Sequence, residues 1–367
     1  MDASFWQGKR VLVTGHTGFK GSWISLWLLR LGAKVHGYAL PSDAGSLFEA
    51  LQLEERLDGH EIGDVRDLAR VRAAFERDAP ELVIHMAAQS LVRPSYADPV
   101  TTMATNVMGT VHVLEAARHT PSVRGVLVVT SDKCYQNREW VWGYREHEAL
   151  GGHDPYSSSK ACAELVTASY RSSYFPPDEL ARHGVAVASA RVGNVIGGGD
   201  RSPDRLIPDL ITALRQEQTV TLRNPSATRP WQHVLEPLSG YLMLLERLHR
   251  HDASFCDAWN LGPRSDDVMT VSWIAERMAE LWGSRHPAWR LDPDHGAAPH
   301  EAHALMLDWS KARAELGWAP RWDLHEALRR TVAWWQACGD APEGTDDACM
   351  DDIAAYTAAA TPRFDVA

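Results

Sequence analysis

Residues 10–31 constrain the fold more than any other segment. Arg10-Val-Leu-Val-Thr14 is a short β-branched run that stops at Gly15, and residues 22–31 form an apolar stretch of helical length. Between them Gly15, Gly18 and Gly21 are spaced as GxxGxxG, within Thr14-Gly15-His-Thr-Gly18-Phe-Lys-Gly21. A strand that turns through glycines straight into a helix brings free backbone N–H groups and the positive end of a helix to one point. The alternation continues downstream. Strand-like runs at 34–40, 61–64, 82–85, 123–130 and 185–191 are interleaved with helical spacing at 68–77, at 106–118 and from Pro155 onward. This pattern predicts an α/β fold, a doubly wound parallel sheet with helices on both faces.

At 367 residues the chain exceeds what one hydrophobic core usually serves. After about residue 193 the alternation loosens, and Gly197-Gly-Gly199, Pro203 and Pro208 mark loops. A late strand is expected at 258–262, with helical spacing at 271–282, 310–316 and 324–335. These breaks predict a sheet domain made of residues 1–192 and 232–262. A smaller mixed lobe takes 193–231 and 263–338, and a tail takes 339–367. The tail is acidic and Ala-rich, with Asp346, Asp347, Asp351 and Asp352, and is expected to be a solvated terminal segment.

Composition excludes some function classes. A net charge of −11 repels a nucleic-acid backbone and anionic lipid, so neither nucleic acid nor membrane is an expected partner. The five cysteines include no CxxC pair, and no disulfide or zinc framework is visible. With no signal-peptide pattern and no apolar run near about 20 residues, a soluble, cytoplasmic protein is expected. Fifteen tryptophans serve packing or stack on a base or sugar ring.

In its strand–turn–helix setting, the Gly-rich turn fits a dinucleotide pyrophosphate, which makes the sheet domain Rossmann-type. Gly15, His16, Gly18, Phe19, Lys20 and Gly21 are the candidate contacts. Lys20 either adds charge near the phosphates or is an exposed helix-start lysine, and His16 is equally open. The second strand ends Gly37-Tyr-Ala-Leu40 without the acid that often holds ribose hydroxyls, and Asp43 is the nearest. No arginine cluster stands there for a 2′-phosphate, so NAD is favoured over NADP. Asp64 and Val65 are placed to cap the adenine, and Ala87, Ala88, Gln89 and Asn106 to line the cleft.

Tyr156-Ser-Ser-Ser-Lys160 opens the helix after Pro155, with Tyr156 and Lys160 on one face. An ammonium beside a phenol favours phenolate, and such a tyrosine can take a proton from a sugar hydroxyl while hydride leaves the same carbon. Ser131, at the end of Val-Val-Thr130-Ser131-Asp132-Lys133, can hydrogen-bond that hydroxyl. Asp132 and Lys133 go beyond what a simple alcohol oxidation needs. A ketone at C4 of a hexose acidifies the C5 proton, and its loss can expel the C6 hydroxyl once that group is protonated. Asp132 suits that general-acid role if burial raises its pKa, and Lys133 can take the C5 proton only if its pKa is depressed. The alternative for this pair is a strand-end salt bridge. Cys134, next to the site, is a buried structural thiol or a reactive one. His300-Glu-Ala-His303 is not HExxH and lacks a third ligand, so no metal is expected.

The glycine turn, Thr130-Ser-Asp-Lys-Cys-Tyr135 and Tyr156xxxLys160 resemble the extended short-chain dehydrogenase/reductase family, and more narrowly its CDP-glucose 4,6-dehydratase branch. The resemblance continues through residues 138–144, 193–200, 223–225, 229–237, 300–303 and 316–318, and covers about residues 5–335. It implies an NAD-binding Rossmann domain, a C-terminal lobe for a nucleotide-sugar such as CDP-glucose, and a homodimer packed through two helices per subunit, one carrying Tyr156. It also implies that Asn194, Arg205 and Arg229 contact the nucleotide-sugar, and guanidinium forks do suit a diphosphate. Related dTDP-glucose dehydratases carry Asp-Glu where this chain has Asp132-Lys133. Arg201 stands where the resemblance expects Trp, at a position that bears on base or sugar preference. Residues 140–144, with Trp140, Trp142 and Tyr144, either cover the active site or belong to the dimer surface. Competing readings are a 4-epimerase, a dehydratase for another nucleotide-sugar, and a catalytically silent NAD-bound scaffold.

Overall fold

The computed structural model describes residues 1–292, 304–339 and 343–359. Its strands are β1 (Arg10–Thr14), β2 (Lys34–Ala39), β3 (Gly59–Ile62), β4 (Leu82–His85), β5 (Gly125–Val129), β6 (Ala186–Val192), β7 (Asn194–Ile196), β8 (Val220–Leu222), β9 (Thr228–His233), β10 (Ala258–Leu261), β11 (Val268–Thr270) and β12 (Trp289–Leu291). Seven of them form one sheet in the order β10-β6-β5-β4-β1-β2-β3. Every pairing in that sheet is parallel. The expected doubly wound fold is what the chain adopts.

Alternation within the strands explains why both faces are covered. Val11, Val13, Leu127 and Val129 join one core cluster, while Leu12, Val126 and Val128 join a second on the opposite face. The first core takes Trp23, Ile24 and Trp27 of the Phe19–Arg30 helix and Leu238 and Leu242 of the Leu235–His249 helix. The second takes Val71 and Phe75 of Leu68–Asp78 and Val113 and Leu114 of Gly109–Arg118. A strand buried on both sides reads as a continuous apolar run, and all seven residues of β6 are buried.

The sheet order reverses between β1 and β4, which opens a crevice at the carboxyl ends of the strands. Beyond β6 the chain builds a second region from the three-stranded sheet β11-β9-β7 and the pair β12-β8. The Leu206–Arg215, Val271–Trp282 and Leu324–Cys338 helices flank them.

Three expectations need correction. The third strand occupies Gly59–Ile62 rather than 61–64, because β2 supplies partners only from His36 to Ala39. Helices at Leu206–Arg215 and Leu235–His249 fall where the pattern had loosened. The described part of the tail, residues 343–359, is not a solvated segment. Thr345–Ala358 is a helix whose Cys349, Ile353 and Tyr356 are fully buried. The Tyr356 hydroxyl donates to Glu236 at 2.6 Å. Its ring meets Trp27 and Trp322 edge-on. The Arg321 guanidinium donates to the Tyr356, Thr357 and Ala359 carbonyls, where the helix leaves acceptors without internal partners. The acids decorate the outer face, and Asp352 turns inward to meet Arg330 at 3.1 Å.

Among the described residues no helix is long and apolar enough to cross a membrane. A docked tail makes a definite prediction. Ile353→Ala should cost roughly 2–5 kcal/mol in urea unfolding, as a buried large-to-small change does. A change within about 0.5 kcal/mol, the range for a surface site, would contradict the docking.

Candidate active site

Gly15 follows β1 with φ +79°, a left-handed conformation that favours glycine. A Cβ there would lie 2.8 Å from the Ala87 nitrogen in the loop after β4. A Cβ on Gly21 would collide with the Gly15 carbonyl. The two loops at the switch point are thus pressed together as backbone. Gly18 caps the Phe19–Arg30 helix with no side-chain hydrogen bond, so its first turn keeps donors for an anion.

A hydrogen-bonded chain fixes this contact. Thr14 Oγ1 accepts from the Met86 and Ala87 amides at 3.2 Å each and lies 2.8 Å from His85 Nδ1. His85 Nε2 lies 3.2 Å from Thr110 Oγ1, which donates to the Asn106 carbonyl at 2.8 Å. Because the Thr110 hydroxyl proton is committed, His85 donates from Nε2 and accepts the Thr14 hydroxyl at Nδ1. Asn106, in a π-helical turn at Ala104–Met108, donates to the Gln89 carbonyl at 2.9 Å and to Ser159 at 2.8 Å. Its oxygen accepts the Gln89 amide at 2.9 Å. The Gln89 side chain folds back on Leu91 and Thr102. Asn106 and Gln89 therefore set the shape of the wall along which Ala87 and Ala88 run.

The remaining cofactor candidates divide. Phe19 sits beside Gly197 at the mouth of the second region. The Asp64 carboxylate accepts the Arg66 amide at 2.8 Å and pairs with its guanidinium at 2.6 Å. Val65 is buried against Gly109. His16 is fully buried, 2.7 Å from His60 Nδ1, and burial with the neighbouring His60 holds its pKa down to about 3. Its ring therefore brings no charge to a phosphate. Lys20 is half-buried rather than an exposed helix-start residue, and it belongs to the reacting end of the cleft. Burial and the nearby Arg205 and Lys160 lower it to about 7, against the pull of Asp132 and Asp200.

Tyr156 and Lys160 stand in the first two turns of the Pro155–Ser173 helix, which Asp154 caps through the Ser157 amide at 2.9 Å. The Tyr156 amide donates to Ser95 at 3.1 Å. Burial pushes the Tyr156 phenol up to about 12, with neighbouring Ser131 opposing it. The expected lowering of the phenol is not found, because desolvation controls it. Lys160 Nζ donates to the Val129 carbonyl at 3.2 Å, and burial lowers it to about 8, against the attraction of Glu164. Ser131 donates to Asp132 at 3.0 Å and accepts the Lys133 amide at 3.2 Å. Asp132 is buried, and desolvation raises its pKa even though Lys133 and Arg229 pull the other way. Cys134 is fully buried and its thiol is held well above the usual range by burial, which removes the reactive alternative.

The second region supplies the other wall. Asn194 is half-buried in β7 opposite Trp231. Arg205 reaches Asp200 and Ser90 at 3.4 Å each, so it spans the two regions. Arg229 donates to the Thr228 carbonyl at 2.9 Å and lies close enough to Asp132 to act on its charge. Arg201 is turned outward. It lies over the Trp335 ring at 4.9 Å and donates to the Gly339 carbonyl at 3.2 Å. Trp140 stacks on Tyr144 at 5.1 Å and Tyr144 on Tyr135 at 5.0 Å, while Trp142 stays exposed at the tip. His300 and His303 lie outside the described residues, among which no cluster of three metal-ligating side chains occurs. Sequence reasoning missed Glu164 and Arg191, a buried ion pair at 2.8 Å beneath the site. Its only trace in the sequence was charge within otherwise apolar runs.

A family model for GDP-mannose 4,6 dehydratase matches residues 12–331, and the chain belongs to that family of sugar-nucleotide dehydratases within the extended short-chain dehydrogenases. It is 54% identical over 338 residues to the CDP-glucose 4,6-dehydratase of Salmonella typhimurium, covering 92% of this chain and 93% of that one. It is 30% identical to the dTDP-glucose 4,6-dehydratase of Streptomyces griseus, over 89% and 93% of the two chains. Among solved structures, the dTDP-glucose 4,6-dehydratase of Streptomyces venezuelae with NAD and TYD bound superposes with a TM-score of 0.74 at 26% identity, over 89% and 97%.

The buried neutral histidines predict a pH dependence. His16, His85 and His233 are each held near about 3, by burial first. Unfolded, each ring binds a proton below about 6.5. Stability is therefore full above that value and falls as pH drops through it, by about 2 kcal/mol per ring at pH 5. Urea unfolding across pH 5–7.5 should show this slope, and His233→Asn should make it shallower. Equal slopes in the two proteins would refute the assignment for His233.

Proposed function

We propose that the chain converts CDP-D-glucose to CDP-4-dehydro-6-deoxy-D-glucose, a lyase reaction of deoxysugar biosynthesis, with NAD held in the cleft. The observation that carries this reading is Asp132, a buried carboxyl hydrogen-bonded to Ser131 whose pKa is raised by burial, at the same site as Tyr156. An epimerase that oxidises and reduces C4 has no use for that third group. The CDP-glucose 4,6-dehydratase at 54% identity supports the choice of nucleotide-sugar.

The backbone cradle at Gly15, Gly18 and Gly21 and the uncapped helix start suit a pyrophosphate, and Asp64, Val65, Ala87 and Ala88 would line the rest of the dinucleotide. When bound, NAD supplies a hydride acceptor for C4 and a hydride donor for C6. The protein manages protons. Tyr156 takes the C4 hydroxyl proton through the small phenolate fraction that its raised pKa leaves, while Ser131 orients that hydroxyl and Lys160 adds positive charge one turn further along the same helix. Lys133, the candidate base of the same turn, takes the C5 proton while Asp132 protonates the departing C6 hydroxyl, which leaves as water, and the C5 proton is returned from Lys133 as C6 is reduced. Asn194, Arg205 and Arg229 of the lobe formed by 193–231 and 263–338 hold the nucleotide and diphosphate. Arg201, stacked on Trp335, stands aside from the sugar nucleotide.

Apolar side chains of Val100, Met108 and Leu165 are exposed on the Pro99–Met103, Ala104–Met108 and Pro155–Ser173 segments, which supports a homodimer packed through the helix that carries Tyr156. All five cysteines are free thiols, in keeping with a cytoplasmic location.

Incubation with CDP-, dTDP-, UDP- and GDP-glucose, read by NMR, should give a 4-keto-6-deoxy sugar from CDP-glucose, with a C4 deuterium delivered to C6. Inversion at C4 with C6 still hydroxylated would refute dehydration. Tyr156→Phe should abolish turnover. Asp132→Asn should oxidise C4 but stall elimination, so absorbance at 340 nm accumulates. An absence of accumulation alongside intact oxidation would remove Asp132 as the acid.

A further inference from the structure

The Glu164–Arg191 pair lies outside the residues that would touch substrate, yet its hydrogen bonds lead to both ends of the Ser131–Lys133 segment. Glu164 is four residues beyond Lys160, one helical turn deeper into the protein. One carboxylate oxygen accepts the Thr130 hydroxyl at 2.5 Å. The other accepts Ser189 at 2.8 Å and the Arg191 guanidinium at 2.8 Å. Arg191 then donates to the Tyr135 hydroxyl at 2.8 Å and to the Glu146 carbonyl at 2.7 Å. The Tyr135 hydroxyl in turn donates to the Asn260 side-chain oxygen at 2.8 Å. Thr130 immediately precedes Ser131, and Tyr135 follows Cys134. Both flanks of the Ser131-Asp132-Lys133 turn are therefore tied to one ion pair, and its acid belongs to the helix that presents Tyr156 and Lys160.

A buried ion pair is weak as a source of stability. Desolvation of the two charges roughly cancels their attraction, and a packed apolar pair often serves the fold as well. The bonds this pair makes, however, run to the flanks of the reacting groups. The sheet already has β5 and β6 in register from Gly125–Ala186 to Val129–Ala190, so the strands themselves need no further tie. Beyond Val129 the chain leaves β5 and enters the short turn at Asp132–Cys134. Side-chain anchors matter most there.

We propose that Glu164 and Arg191 are positioning residues for the oxidation at C4, holding Ser131 and Asp132 in register with Tyr156 and Lys160. This rests on the dehydratase reading above. The pair makes no contact with reactants. It acts by joining the Ser131 turn to the Tyr156 helix as one rigid unit, since misplacement of a reacting group by about 1 Å can cost about a hundred-fold in rate.

The test compares wild-type protein with Glu164→Leu/Arg191→Met, a double variant that leaves no lone buried charge, and with Thr130→Val and Tyr135→Phe, which cut one anchor each. Thermal midpoint, NAD content, KM for CDP-glucose, and the C4-deuterium isotope effect on kcat are measured for each. The double variant should remain folded and bind NAD, with KM within about two-fold of wild type. Its kcat should fall about ten- to a hundred-fold, and its C4-deuterium effect should rise because oxidation has become limiting. Each single-anchor variant should move the same two quantities in the same direction, to a smaller extent. A folded double variant with wild-type kcat and isotope effect would overturn the proposal. If the double variant does not fold, Thr130→Val and Tyr135→Phe decide the matter: an unchanged isotope effect in both overturns it. Failure of the wild-type protein to dehydrate CDP-glucose would instead remove the reaction reading.

Discussion

A sheet covered by helices on both faces leaves the ends of its strands as the place where backbone polar groups meet solvent. Much of the candidate site is hung from those ends, and the Pro155–Ser173 helix brings Tyr156 and Lys160 to it. Gly15 follows β1, Ala87 follows β4, Ser131 follows β5 and Asn194 opens β7 just past β6. The reversal of strand order between β1 and β4 separates the first two loops enough to form a crevice, while the missing Cβ of Gly15 lets their backbones touch at its floor. The cleft is a consequence of topology, and the side chains refine it.

Within the cleft, burial works on acids and bases in opposite directions. It raises Asp132 and Tyr156, and lowers Lys20 to about 7 and Lys160 to about 8. The Asp132 carboxyl and the two lysines are thereby brought closer together, while the Tyr156 phenol, pushed up to about 12, becomes a stronger base for a sugar hydroxyl once ionised. The same desolvation would neutralise every group if nothing opposed it. Glu164 opposes it at Lys160, and Arg191 in turn keeps Glu164 below the usual carboxylate range despite complete burial. The charge on Lys160 is thus maintained from one turn deeper in its own helix.

The sheet and the chemistry-bearing turns were legible in the sequence because their signals are local. Gly15, Gly18 and Gly21 lie between a β-branched run and an apolar helix, and Tyr156xxxLys160 lies behind a proline-led helix start. What could not be read locally was anything decided by burial from several directions. The Leu235–His249 helix is buried on nearly every face, Glu236 and Glu246 included, so its charged residues do not mark a solvent side. Gln89 and Asn106 were legible as residues of the cleft, but the hydrogen bonds that tie each side chain to neighbouring protein groups were not. His16 sits inside the glycine turn and still points inward to His60. In the tail, four aspartates masked a helix whose contacts come from Cys349, Ile353 and Tyr356.

That tail helix also bears on the substrate side of the cleft. The Trp334 indole donates to Cys349, so the tail helix is bonded to the Leu324–Cys338 helix it lies against. The Trp334 ring packs so tightly over Gly198 that a Cβ there would collide with it, and Trp23 donates to the Gly198 carbonyl at 3.0 Å from the other side. Gly198 belongs to the loop that leads through Asp200 to Arg205, and Arg201 on that loop is stacked on Trp335. The loop that carries Arg205 to Asp200 and Ser90 is therefore clamped between the first helix of the sheet domain and a layer that the tail helix completes. The arginine at 201, where the family resemblance expects tryptophan, fits this arrangement. Trp335 supplies an aromatic face from a different helix, and the guanidinium over it fastens the loop to the C-terminal layer through the Gly339 carbonyl.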